Sequence, residues 1–309
     1  MTGLTRRDFG KVALAAAPVA AALGKVDSTI RGVHVGANSF SFRDLSDVDA
    51  VIRAMASIGL GQCELFAPHA EPFPVTYGGG GRGRGAATPG APPDPAVLAR
   101  QKTRDDQRAW RLSVSMDHFK AIRDKFDAAG ISICSYNVNM DDSCTDEEIG
   151  RICEMALVLG ANTVTSGLQL PMIRRIAPIA EQHHVLIAIH NDPRNFATAE
   201  HFAEGLAISP AVRIQLDLGN FFTSGGNAVE YIAQHHDRIA GLHIKDMKKG
   251  NQHVPMGEGE MDLKGILGLM SQKKYTNPTL IEYEYKGEGT SQAEVQKCFD
   301  YIRKTLETV

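Results

Sequence analysis

The sequence has no excess of charge of either sign: 33 lysines and arginines stand against 36 aspartates and glutamates over 309 residues, a formal net charge of -3. That excludes the basic footprint of a nucleic-acid-binding protein and any strong acidic field. Cysteine is scarce and odd in number. Cys63, Cys134, Cys144, Cys153 and Cys298 form no C-x-x-C pair, which excludes a zinc ribbon and a dithiol redox motif. Cys63 and Cys134 fall in apolar runs and read as buried small hydrophobes. No G-x-G-x-x-G follows the first strand-like run, which counts against a dinucleotide-binding open sheet. Nothing reads as a phosphate cradle.

What is present begins with a leader pattern. Thr5-Arg6-Arg7-Asp8-Phe9-Gly10-Lys11 precedes an apolar, alanine-rich run from Val12 to Leu23. Paired arginines before a weakly hydrophobic stretch read as a twin-arginine export signal. The run is too short for a comfortable membrane span, so no span is expected once a signal is removed. The expected organisation is a signal and short linker over 1–30 and one domain over 31–309. The expected location is periplasmic or secreted.

From residue 31 the chain alternates short apolar runs with helical patterns. Strands are expected at Val33 to Phe40, Gln62 to Phe66, Ile131 to Tyr136, Thr163 to Ser166, Val185 to His190, Arg213 to Asp217, Ile239 to Ile244 and Thr279 to Tyr283. Such near-continuous apolar runs suit parallel strands covered on both faces. Helical spacing runs over Ser46 to Ile58, His118 to Ala129 and Asp146 to Leu159, each stopping at or just before a glycine. A further short helix is expected over Asp105 to Ser113, with Trp110 covering apolar surface. Eight such repeats predict a single (β/α)₈ barrel. One stretch, 77–95, is rich in Gly, Pro, Ala and Arg and reads as an inserted loop. It is either a lid offering Arg82 and Arg84 or a solvated insertion.

Polar residues end the last three runs. Leu216-Asp217, Leu242-His243 and Ile281-Glu282 place a carboxylate, an imidazole and a carboxylate at the C-terminal ends of neighbouring barrel strands. Singly, Asp217 could cap the next helix, His243 could be a satisfied core residue, and Glu282 could pair with an arginine. In register together they form a mixed N/O set suited to one divalent ion, Mn²⁺, Zn²⁺, Co²⁺ or Mg²⁺.

Three blocks carry a resemblance: Gly36-Ala37-Asn38-Ser39-Phe40 with Cys63-Glu64-Leu65-Phe66, Gly241 to Asp246 with Gly257 to Asp262, and Ile281-Glu282-Tyr283-Glu284. Together they resemble the xylose-isomerase-like barrel superfamily of sugar phosphate isomerases and epimerases. Trp110-Arg111-Leu112, Met116-Asp117-His118-Phe119 and the twin-arginine pattern resemble an exported branch of it. The resemblance implies a metal held by acidic residues and a histidine on strands five to eight, of which Asp217, His243 and Glu282 are the last three. Strand five reads Ala188-Ile189-His190-Asn191-Asp192, where many members have Glu-Asn-His. His190 is then the fourth ligand, with Asn191 and Asp192 close behind, or else a substrate contact. A two-glutamate acid/base pair would lack one member here.

The implied chemistry is removal of a proton next to a sugar carbonyl through an enediolate. Glu282, His190, Glu64, Lys245 and Glu284 are the candidates for this work, although Lys245 could instead pair with Asp246. Asn38, Asn191, Glu284 and Glu258 are candidate substrate contacts, and Glu258 could instead shape its Gly-Glu-Gly turn. The expected partner is a small carbohydrate, unphosphorylated if the protein is exported. Isomerisation or epimerisation ranks first, and β-elimination from a 3-keto-glycoside second. A barrel that merely binds sugar is the non-enzymatic alternative, and an apurinic-site endonuclease is disfavoured by charge. The reading allows a homo-oligomer.

Overall fold

A computed structural model describes residues 25–73, 95–194 and 196–309. The leader run from Val12 to Leu23 lies outside the described residues, as do all but the last position of the 77–95 insertion, Arg82 and Arg84 included. Eight strands, β1 Val33–Asn38, β2 Gln62–Phe66, β3 Ser132–Asn137, β4 Thr163–Ser166, β5 Leu186–His190, β6 Val212–Asp217, β7 Ile239–Ile244 and β8 Thr279–Ile281, pair in parallel with their sequence neighbours. β8 pairs with β1, so the sheet closes into the (β/α)₈ barrel the repeats predicted. All eight expected strands occur, with ends shifted by a few residues. At the two strands that end early, β1 and β8, the chain turns into the site.

Ten helices surround the barrel among the described residues: α1 Val48–Ile58, α2 Pro95–Ser113, α3 Met116–Ala128, α4 Asp146–Val158, α5 Leu170–Gln182, α6 Ala199–Leu206, α7 Leu218–Thr223, α8 Ala228–His235, α9 Leu263–Lys273 and α10 Ser291–Glu307. Sequence punctuation sets their ends. Asp47 and Thr145 accept backbone N–H bonds at the starts of α1 and α4. Gly59 closes α1 at φ +87°, which a side chain would strain. The helix expected at Asp105 starts ten positions earlier, at Pro95. Trp110 covers apolar surface as expected, edge-on to Phe73 and Phe119.

The described fold also reaches back past the boundary expected at residue 31. Thr29–Ile30 pairs antiparallel with β1, Val26 N–H donates to Gly130 O, and Ser28 accepts from Gly61 N–H. These residues form a floor under the N-terminal ends of β1 to β3, on the side away from the site. All five cysteines are unpaired; Cys63, Cys144, Cys153 and Cys298 are buried and Cys134 is half-buried. Among the described residues no helix is long and apolar enough to cross a membrane.

Two irregularities matter at the C-terminal ends. The β2–β3 register slips between Cys63 and Glu64, bringing Glu64 opposite Ser135. The β6–β7 register slips between Ile214 and Gln215, bringing Asp217 opposite His243. Such slips re-aim side chains, and here they occur on strands that carry site residues.

Candidate metal centre

His190 and Asp217 end β5 and β6, His243 is next to last in β7 and Glu282 directly follows β8, and each presents a donor atom within 4.8 Å of the others. His190 Nε2 lies 3.4 Å from Asp217 Oδ2, and His243 Nδ1 lies 3.4 Å from Glu282 Oε2. A tetrahedral ion with bonds of about 2.1 Å has donor–donor edges of about 3.4 Å. Asp217, His243 and Glu282 are buried, while His190 is partly open.

The imidazole of His243 is held by its far nitrogen. Nε2 lies 2.7 Å from Glu64 Oε1, and a carboxylate only accepts, so Nε2–H donates. Glu64 is in turn fixed by Ser135 Oγ at 2.8 Å, Thr165 Oγ1 at 2.9 Å and Asn137 Nδ2 at 2.9 Å. Both its oxygens are therefore engaged deep in the barrel. His243 Nδ1 is buried with no hydrogen-bond partner. The arrangement is a carboxylate–histidine pair with the second ring nitrogen directed toward the other three donors. None of Ser135, Asn137 and Thr165 was singled out from the sequence. Their signal was polar side chains in two short strands, Ser-Ile-Cys-Ser-Tyr-Asn and Thr-Val-Thr-Ser, that must lie in the closed barrel.

The other positions fall around this set. Asn38 donates through Nδ2 to Glu282 Oε1 at 3.2 Å and accepts Phe40 N–H at 2.9 Å. Asn191 braces the end of β6, accepting Asp217 N–H and donating to Asp217 O. Asp217 also caps α7, accepting Asn220 N–H through Oδ1, so its two oxygens divide capping from the site. Asp192 pairs with Arg194 at 2.7 Å. Glu258 is exposed in its turn.

The expected pairing of Lys245 with Asp246 does not occur. Lys245 lies between the end of β7 and the short strand Asp246–Lys248, and the two side chains turn to different partners. Lys245 Nζ turns into the site, 2.8 Å from Asp217 Oδ2, 2.5 Å from Glu282 Oε2 and in contact with Glu284. Asp246 instead accepts the backbone N–H groups of Met247, Gly257 and Gly259. A side chain at Gly259 would meet that carboxylate at 2.0 Å, which explains the Gly-Glu-Gly turn.

The charges are strongly coupled. Burial alone would depress His243, but Glu282 and Glu64 outweigh it and hold the imidazole well above its usual range. Burial alone would raise Glu282, but His243 and Lys245 keep it well below the usual carboxylate range. Asp217 is lowered in the same way, burial being outweighed by Lys245 and His190. Four carboxylates, Glu64, Asp217, Glu282 and Glu284, surround one lysine and two imidazoles. The excess of negative charge suits a divalent cation.

A family model described as xylose isomerase-like TIM barrel matches residues 100–305. The chain belongs to the xylose isomerase-like TIM barrel family. An L-ribulose-5-phosphate 3-epimerase from Salmonella paratyphi C is 28% identical over 99 residues, 32% of this chain and 35% of that protein. The chain thus matches about a third of the length of such curated relatives. Among solved barrels of similar fold, the IolI protein with a bound zinc atom gives a TM-score of 0.61 at 15% identity, covering 89% of this chain and 99% of that one. An L-ribulose 3-epimerase gives 0.61 at 14% identity over 89% and 95%. A probable 3-DHS dehydratase from Bacillus anthracis gives 0.61 at 15% identity over 87% and 97%.

In this xylose isomerase-like barrel the donor set fits a divalent ion on its own geometry. His243 Nδ1 is an orphaned buried nitrogen beside Glu282 Oε2, and an ammonium already lies against two of the carboxylates. The support from Glu64 can be tested directly. Glu64→Gln keeps an acceptor oxygen for Ser135 and Thr165 but puts an NH₂ where His243 Nε2–H and Asn137 Nδ2 donate, so the bond that orients His243 is lost. Mn²⁺ affinity, measured by titration, is expected to fall about 10- to 100-fold with the fold retained. Unchanged affinity would mean that Glu64 only fills the barrel.

Proposed function

We propose that this protein is a divalent-metal-dependent sugar isomerase or epimerase that acts through an enediolate on a non-phosphorylated keto-sugar or sugar derivative. The observation that carries this reading is the convergence of His190, Asp217, His243 and Glu282, with His243 oriented by Glu64. A bound Mn²⁺, Zn²⁺ or Co²⁺ would polarise a sugar carbonyl and acidify the neighbouring C–H. Mg²⁺ fits the two nitrogen donors less well.

Each remaining residue has a task in that reading. Glu64 fixes the tautomer of His243, and Asn38 orients Glu282 by holding one of its oxygens. Asn191 holds the backbone from which Asp217 projects. Of the four carboxylates, Glu284 is the most open, its side chain 30% exposed against 8% for Glu282, 1% for Asp217 and none for Glu64. Glu284 is therefore the group that takes and returns the proton, with Lys245 beside it to stabilise the carboxylate. Phe40, Phe66 and Tyr283 follow or end the adjacent strands β1, β2 and β8. Arg43 lies 4.8 Å over Phe40 and 5.4 Å over Tyr283. Such ring faces suit the C–H face of a sugar.

A second reading is β-elimination of the aglycone from a 3-keto-glycoside. It is favoured by His190, which stands on β5 where a second glutamate would complete an acid/base pair. A twin-arginine signal and short linker over 1–30, the linker's last residues lying against a barrel domain over 31–309, and a periplasmic or secreted location belong to the proposal, because the substrate class follows from them.

Solvent deuterium incorporation into free ketoses and 3-keto-glycosides, followed by mass spectrometry alongside metal content, tests the reading. Exchange next to the carbonyl is expected, dependent on one bound divalent ion. Recovered sugar would indicate isomerase or epimerase chemistry, and released aglycone the lyase. Metal with no turnover on any member would leave a sugar-binding barrel.

A further inference from the structure

Lys245 does more in this structure than stand beside Glu284. Its ammonium is buried against three carboxylates, and two of them, Asp217 and Glu282, belong to the candidate ligand set. The contacts are made to the oxygens that also face the imidazoles. Asp217 Oδ2 is 2.8 Å from Lys245 Nζ and 3.4 Å from His190 Nε2; Glu282 Oε2 is 2.5 Å from Nζ and 3.4 Å from His243 Nδ1. A divalent ion seated among those donors would claim the same oxygens, and the two cations would repel at short range. The stem of Lys245 is confined, since a side chain at Gly219 would meet its Cγ and Cδ at 2.9 and 2.8 Å. Glu284, outside the ligand set and partly open, is the third carboxylate against the same ammonium.

We infer that Lys245 is an internal cation that competes with the divalent ion for Asp217 and Glu282, and that Glu284, which its ammonium already touches, is the one carboxylate of the three that it keeps when the ion binds. This rests on the metal reading above. Before an ion arrives, the ammonium bridges Asp217 and Glu282 and holds them in position. Afterwards, Glu284 retains it. Lys245 acts as a positioning residue and, with Glu284, sets the affinity of the centre, which for Glu284 is a part additional to proton transfer.

The test measures Mn²⁺ dissociation constants by chelator competition, and thermal unfolding with and without Mn²⁺. The proteins are wild type, Lys245→Met, Glu284→Gln and the double variant. Lys245→Met is expected to bind Mn²⁺ about tenfold tighter or more, because a competing buried charge is gone. It should also melt lower without Mn²⁺ and gain more on its addition. Glu284→Gln is expected to bind several-fold more weakly, and this loss should vanish when Lys245 is already Met, since the two act as one unit. Equal or weaker binding by Lys245→Met overturns the inference. If that variant does not fold, Glu284→Gln decides, and unchanged affinity there overturns it too. Wild type that takes up no Mn²⁺ at all sinks the metal reading itself, a different failure from wild type that binds while the variants match it.

Discussion

Asp217→Asn is expected to lose its stoichiometric divalent ion, and turnover on any accepted sugar is expected to fall by about 10³-fold or more. Losing the several kcal/mol of charge stabilisation that an ion supplies corresponds to roughly that factor. The substitution is chosen so that fold and chemistry separate. Asparagine keeps a carbonyl oxygen to accept Asn220 N–H, so the start of α7 holds. What it removes is the charge facing His190 and Lys245. Metal content by mass spectrometry, with circular dichroism as the control for fold, reads the result. A variant that keeps both its metal and its turnover would show that the centre lies elsewhere.

Arg111→Met is expected to cost about 3–5 kcal/mol of folding stability. For a barrel of this size that lowers the melting temperature by about 10 °C. Arg111 is 1% exposed, and its guanidinium makes a two-pronged contact with Glu71 at 2.9 and 2.9 Å and a third bond to Glu148 at 3.0 Å. Burial opposes its charge, but Glu71 and Glu148 hold it protonated. Without it, Glu71 keeps Tyr136 and Gln107 as side-chain partners among the described residues, while Glu148 still has Arg104. A buried carboxylate without its counter-ion is the expensive state, more so than the absence of both charges. Adding Glu71→Leu to the Met variant should therefore recover part of the loss. None of these residues touches the four donors, so Mn²⁺ stoichiometry should stay as in wild type. A melting shift below about 2 °C would mean that the network contributes little to stability.

The same network explains what the sequence concealed. α1, α3 and α4 were legible because apolar residues recur at helical spacing and end at glycines. The first half of α2 was not, because much of what holds this helix to the barrel is ionic. Arg-Gln-Lys-Thr-Arg, from Arg100 to Arg104, has no apolar period, and Arg104 is anchored instead by Glu148. The centre divides similarly. Asp217, His243 and Glu282 stood out because each ends an apolar strand, and the structure brings them together. His190 came from a resemblance and falls in the same cluster. Lys245 was read against its chain neighbour, whereas Lys245 turns into the site and Asp246 onto the backbone of Met247, Gly257 and Gly259. The partners of Glu64 lie 71 to 179 positions away in sequence, beyond the reach of local spacing.

The unpaired thiols have a practical consequence. Cys153 and Cys298 are pushed up to about 12 by burial, and burial raises Cys144 and, further, Cys63. A thiol with so high a pKa is about 10⁻⁵ thiolate at neutral pH, and the thiolate is the form that alkylating probes attack. The native cysteines should therefore stay largely silent toward maleimide in the folded protein. A cysteine introduced at an exposed position such as Leu157 would then be the dominant reactive thiol, and one dye could be attached without first stripping the others from the barrel.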